Sequence, residues 1–162
     1  MIKNFTELLE AAKSQKKMKI VVAAAHDEDV IKGVNQAKEM GIAEPVLVGD
    51  KAKIISIMDG LRIPNREFEI VDEPDLIQAA KKSVKLVREG KGDFLMKGIL
   101  QTADIMRAVL DKEEGLRTDN LISHVMVYEV PTYNKLLYLT DGGMNVAPDL
   151  SQKVQILENA IK

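Results

Sequence analysis

The sequence predicts an α/β fold: a largely parallel sheet flanked by helices, with an antiparallel strand pair near the C-terminal end. Three observations predict it. Short unbroken apolar runs recur along the first two thirds of the chain, the pattern of strands covered on both faces. Each of the first three is followed by a segment with apolar residues at helical spacing, and a fourth such pair closes the series. The connections are short, so right-handed crossovers place helices on both sides of one sheet.

In order, Asn4 caps an opening helix that carries Phe5, Leu8, Leu9 and Ala12 on one face, with Glu7 three residues after the cap. Met18 to Ala25 reads as the first strand, and Asp27 begins a helix through Val30, Val34, Ala37 and Met40 to Gly41. Pro45 to Gly49 is the second strand, followed by a helix holding Ile54, Ile55 and Met58 that Gly60 closes. Phe68 to Val71 is the third. Pro74 starts a helix whose Leu76, Ile77, Ala80, Val84 and Val87 share a face before Gly90 stops it. Phe94 to Met96 is the fourth strand, leading to a helix that ends near Leu110. The rhythm then changes. Asp111 to Gly115 is a polar break, and Ile122 to Val130 and Leu136 to Thr140 are two strands at hairpin spacing. Asp149 caps a final helix through Leu150, Val154, Leu157 and Ile161, which runs to Lys162 with no glycine to close it and reads as cut rather than finished.

At 162 residues the chain accommodates one good core, or one domain and a piece of a second. Its 46% hydrophobic and 30% charged composition excludes wholesale disorder. A net charge of −2 gives no global drive toward nucleic acid or an anionic membrane. The one dense basic run, Lys13, Lys16, Lys17 and Lys19, reads as a solvated helix end. Without cysteine there are neither disulfides nor thiolate metal sites. The start lacks a secretory pattern and no run reaches membrane-spanning length, so the expected location is cytoplasmic. Trp is absent and aromatics are 4%, which leaves little for stacking on single-stranded nucleic acid.

Two segments carry the functional expectation. Met96 to Arg107 leaves a buried strand past Lys97, passes through Gly98 and enters a helix at Thr102. In open α/β sheets ligands sit beyond the carboxyl ends of strands, where loops and helix N-termini converge. Gly98 lets the backbone approach an anion, and Thr102 either caps the helix or donates its hydroxyl to a phosphate oxygen. Helix-end amides alone contribute only about 0.3–1 kcal/mol toward an exposed anion, so Arg107 is asked to add charge-assisted hydrogen bonds. Asp104 reads as a partner of the helix dipole. The Walker run and the glycine triplet of dinucleotide sites are both missing, since Ala23-Ala24-Ala25-His26-Asp27 follows the first strand.

The second segment, Asp141-Gly142-Gly143-Met144-Asn145, is either a plain turn or a loop presenting Asp141 and Asn145 at an edge of the same cleft. Arg117 is a further cation within reach of a phosphate, or a surface loop charge. His26 and His124 lack a ligand-spaced partner and read as a helix-entry residue and a strand residue, so no metal site is expected.

At these segments the chain resembles the phosphate acetyl/butyryl transferase family, and most nearly its phosphate butyryltransferase branch. The likeness runs through Gly41-Ile42-Ala43, Val48-Gly49-Asp50, Phe68 to Val71, Met96 to Arg107, Gly115 to Thr118, Ser123-His124-Val125 and Leu139-Thr140-Asp141. It implies acyl transfer between coenzyme A and inorganic phosphate, butanoyl-CoA plus phosphate giving butanoyl phosphate plus CoA. Both are substrates, and no bound cofactor is implied. In related phosphate acetyltransferases the segment matching Thr102 to Arg107 contributes an arginine that meets a phosphate of CoA, a role that falls to Arg107. The segment matching Asp141 to Met144 lines the cleft between two domains. The substrate-binding set is therefore Lys97, Gly98, Thr102, Arg107, Asp141 and Asn145.

The resemblance also implies a fold like that of isocitrate and isopropylmalate dehydrogenases. Family members are about twice as long, with a catalytic Ser-Arg pair and a nearby Asp far along the C-terminal half, beyond Lys162. The expected organisation is an incomplete α/β domain over 1–145 and a crossing helix over 146–162 toward a missing second domain, with homo-oligomerisation in the full-length form. The alternatives are a truncated, non-catalytic binding or assembly module of this family, or a phosphate acetyltransferase.

Overall fold

The structure, a computed structural model, describes residues 2–161. Lys162, where the sequence reading ends the last helix, lies outside the described residues. The chain forms two compact units, one of residues 15–117 and one built from 1–14 together with 118–162. The contacts thus group the last helix with the hairpin before it and with the opening helix.

The 15–117 unit alternates β1 (Met18–Ala23), α2 (Glu28–Glu39), β2 (Ala43–Gly49), α3 (Lys51–Gly60), β3 (Glu69–Asp72), α4 (Leu76–Arg88), β4 (Phe94–Lys97) and α5 (Thr102–Val109), α1 (Phe5–Lys13) lying in the other unit. Its four strands are all parallel in the order β3-β2-β1-β4. The apolar runs explain the sheet, because alternate residues of β1 feed opposite faces. Ile20 and Val22 pack with Ile31, Val34, Ile54 and Met58 of α2 and α3, while Val21 packs with Val46, Val48 and Ala79 on the α4 side. Leu47, Ile54 and Met58 are fully buried, each stabilising the fold by roughly 1.5–3 kcal/mol relative to exposure.

Helix starts follow the expected chemistry. The side chains of Asp27, Asp50 and Asp75 accept from backbone amides of α2, α3 and α4, so Pro74 precedes the cap of α4 instead of opening the helix. Gly41 and Gly90 leave their helices at positive φ, as predicted. Gly60 does not: it stays within α3, and Arg62 takes the left-handed position. The first strand also ends sooner than its apolar run, at Ala23, because Ala24 turns left-handed with φ 57°.

The second unit contains α1, whose start Asn4 caps through Glu7 N–H, the antiparallel pair β5 (Val125–Tyr128) and β6 (Leu137–Thr140), and α6 (Leu150–Ile161). Asp149 and Gln152 exchange side-chain-to-backbone hydrogen bonds at 2.9 Å, a reciprocal cap for α6. Asn159 Nδ2 donates to the Leu121 carbonyl and to Ser123 Oγ, tying α6 to the approach of β5. Among the described residues no helix is long and apolar enough to cross a membrane.

Candidate phosphate-binding loop

In the sheet order β3-β2-β1-β4 the chain leaves β1 toward β2 and later returns to its other side as β4. The connections therefore diverge beyond the carboxyl ends of β1 and β4, the place where open α/β sheets make a crevice. Lys97 to Thr102 occupies that place.

Gly98 is buried, and its N–H donates to the Ala23 carbonyl at 2.8 Å, while Ile99 N–H donates to the Ala24 carbonyl at 3.1 Å. A Cβ at position 98 would stand 2.1 Å from the Ala24 carbonyl oxygen. Glycine is required here for the two chain segments to touch, a steric reason that the sequence pattern does not show. Lys97 folds over its own loop, its Nζ donating to the carbonyls of Gly98 at 3.1 Å and Leu100 at 2.9 Å. An ammonium has three donors, so one remains for a ligand.

Thr102 is not the cap. Gln101 holds the N-cap position of α5 and makes no side-chain capping bond, and Thr102 is the first helical residue. The Gln101 carbonyl accepts from Asp104 and Ile105 N–H. Among the described residues the amides of Thr102 and Ala103 have no acceptor, as expected of a helix start without a cap. Lys97 Nζ, the uncapped start of α5 and the exposed Thr102 are thus brought to one loop.

Arg107 is not part of that cluster. It lies about 140° around the helix from Thr102 and one turn further on, in a cleft between α4 and α5 lined by Ile77, Lys81, Val84 and Ala108. Its guanidinium is largely exposed and donates to Asp104 Oδ1 at 2.8 Å. A phosphate reaching Arg107 would compete with Asp104 for it, with Lys81 as a second cation in the cleft. Asp111, on the same rim, is held below the usual carboxylate range by the amides of Glu114 and Glu113, against the opposing effect of burial.

In the other unit, the loop after β6 spends its polar groups internally. Asp141 Oδ1 accepts from His124 N–H at 2.8 Å, and Oδ2 accepts from Asn145 N–H at 2.7 Å and Asn145 Nδ2 at 2.8 Å. Burial of Asp141 favours its neutral form, but these donors outweigh that and hold its pKa below the ordinary value. Asn145 Nδ2 also donates to the Ile122 carbonyl at 3.0 Å. Asp141 and Asn145 are therefore ties that shape the loop. His124 precedes β5, with its Nδ1 buried against Gly142 and without a partner among the described residues.

His26, read from sequence as a helix-entry residue, proves to be structured at both sides. Its Nδ1 accepts from Asp50 N–H at 3.3 Å, and a Cβ at position 49 would stand 2.7 Å from that nitrogen. Burial first, then Lys53, lower its pKa, against smaller raising effects of Asp50 and Asp27. The sequence signal was Gly49 directly before a capping Asp, which leaves room for a ring from the neighbouring strand. Among the described residues no group of His, Asp or Glu is set to hold a metal ion.

Comparison with known proteins places the chain in a family. The family described as phosphate acetyl/butaryl transferase matches residues 4–81 and 76–162. A phosphate butyryltransferase of Clostridium acetobutylicum is 45% identical over the whole chain, which spans 54% of that relative. A phosphate acetyltransferase of Rhizobium meliloti is 41% identical over 97% of the chain, which spans 50% of it. The chain thus spans about half the length of the curated relatives it matches. Among solved structures, a branched-chain phosphotransacylase from Enterococcus faecalis aligns at TM-score 0.74 and 25% identity over 88% of this chain and 49% of its own. A phosphotransacetylase from Streptococcus pyogenes shares the fold at TM-score 0.75 and 21% identity, over 94% of this chain and 55% of its own. Matched by one family from residue 4 to residue 162, this chain belongs to the phosphate acetyl/butaryl transferases.

Proposed function

We propose that this chain supplies the phosphate-gripping part of a phosphate acyltransferase that interconverts butanoyl-CoA plus phosphate and butanoyl phosphate plus CoA. The observation that carries the reading is the β4–α5 loop, which holds both the Lys97 ammonium, bonded to the Leu100 carbonyl, and the uncapped start of α5 at the carboxyl edge of the sheet. Lys97 and Thr102 touch a phosphate there, Gly98 seats the loop on β1, and Arg107 with Lys81 grips a second phosphate of CoA in the α4–α5 cleft. Asp141 and Asn145 keep their own loop in shape. CoA and phosphate enter as substrates and no metal is needed to hold them. The chemistry is attack of the CoA thiolate on an acyl phosphate carbonyl, which requires a base for the thiol and donors for the oxyanion.

Calorimetric titration of the chain with CoA tests the grip. Arg107→Ala should weaken binding roughly tenfold, equivalent to about 1.4 kcal/mol. Unchanged affinity contradicts the CoA assignment. Acetyl and butanoyl substrates differ by two methylenes, each discriminated by about 1–3 kcal/mol in an apolar pocket, so comparing kcat/KM for the two esters, measured on a protein that joins this chain to a C-terminal half of the family, separates the butyryl reading from the acetyl one.

A further inference from the structure

The exit of β1 joins two neighbouring loops through four hydrogen bonds. On one side the carbonyls of Ala23 and Ala24 accept from Gly98 and Ile99 N–H. On the other, Ala25 N–H donates to the Val48 carbonyl at 2.9 Å, and His26 Nδ1 accepts from Asp50 N–H. Between them Ala24 sits at φ 57°, a left-handed conformation that an alanine adopts only when its surroundings over-determine it. Rotating Ala24 out of that conformation would swing its carbonyl away from Ile99, so whatever fixes residues 25 and 26 also fixes the phosphate loop. Gly49 is part of the device, because any side chain there would displace the imidazole.

We infer that His26 is a positioning residue for the phosphate loop, its unprotonated Nδ1 locking the exit of β1 onto Asp50 so that the Ala24 carbonyl holds the Ile99 amide. The inference rests on the reading of Lys97–Thr102 as that loop. Nδ1 accepts only when it carries no proton, which puts the proton of the neutral ring on Nε2. Three charged groups face the ring: Lys53 of α3, Asp50 at its cap and Asp27 at the cap of α2. Burial and Lys53 prevail and keep the ring neutral near pH 7. Acidification protonates Nδ1, turns it from acceptor to donor and opens the lock.

Two substitutions separate this role from simple space-filling. In His26→Asn the side-chain oxygen stands near the place of Nδ1 and accepts from Asp50, whereas in His26→Gln the polar atoms fall near Nε2. Amide hydrogen exchange at neutral pH should rise by about tenfold or more at Asp50 and Ile99 in His26→Gln, and stay within about threefold of the parent in His26→Asn. The parent, corrected for intrinsic exchange, should approach the Gln variant as the pH falls below the ordinary imidazole value. Unmoved exchange at Ile99 in His26→Gln, or equal loosening in both variants, overturns the inference. CoA affinity measured on the same samples keeps the two readings apart: loosening of Ile99 with unchanged affinity upholds the lock while removing the phosphate role of the loop.

Discussion

The two units of this chain are held together by different forces. Among the described residues, every buried hydrophobic side chain except Leu136 and Ile156 belongs to residues 15–117. That unit is a sheet sealed on both faces, and its stability is a matter of area removed from water. The other unit exposes Val125, Met126 and Tyr128 on β5, Leu137, Tyr138 and Leu139 on β6, and Leu150, Val154 and Leu157 on α6. A two-stranded sheet with so little cover is marginal by burial alone. Its order comes from polar ties, notably Asp141 to His124 and Asn145, and Asn159 to Leu121 and Ser123. Burial on both faces makes the first unit the platform for a loop, while the second is expected to respond to pH and to open locally.

The largest expected effect is in the platform. Leu47→Ala removes a fully buried side chain between two helices and should destabilise the 15–117 unit by about 3–5 kcal/mol, read by denaturant unfolding. A cost below about 1 kcal/mol would show that this core is not tightly packed. Gly98→Ala comes next. Its Cβ would meet the Ala24 carbonyl oxygen, just past β1, at 2.1 Å, so the two segments must part, at a cost of about 1–3 kcal/mol and with loss of protection at Ile99. In the second unit, Asn145→Ala should cost about 1 kcal/mol per lost hydrogen bond and act on the hairpin amides without touching those of β1.

The same comparison has a pH signature. Asp141 has a depressed pKa in the folded state, so its contribution is fully present above the ordinary carboxylate value and is lost as pH falls through the folded one. Exchange protection of Val125 to Tyr128 should therefore fail on acidification in the parent, and an Asp141→Asn variant should lose that dependence. The smallest effect is a gain. Gln101→Asp gives α5 the cap that α2, α3 and α4 already have and should raise stability by about 0.5–1 kcal/mol. It should also weaken phosphate binding, because the new carboxylate occupies the amides and repels an anion.

Much of the platform was legible in the sequence. Apolar runs located all four parallel strands, and Asn4, Asp27 and Asp149 announced their helices. What pattern does not carry is backbone direction and reach. The left turn at Ala24 is invisible because alanine has no turn signature, so the first strand reads too long by the residues that follow it. Gly98 was visible as a special position, but that it seats the loop against the exit of β1, with its N–H on the Ala23 carbonyl, depends on the fold. Thr102 looked like a cap because its hydroxyl suits one, yet the loop wrapped around Lys97 puts Gln101 there. Asp141 and Asn145 were visible as a polar pair, but that they bind each other depends on the fold of their loop.

The most direct test is an amide chemical-shift titration of the isotopically labelled chain with CoA at neutral pH and low salt. Saturable shifts concentrated at Thr102 and Ala103, accompanied by Lys97 and the α4–α5 cleft around Arg107, are the predicted result. Saturable binding that leaves Thr102 and Ala103 unmoved, or no binding at millimolar CoA, would contradict the assignment of the β4–α5 loop as the phosphate grip.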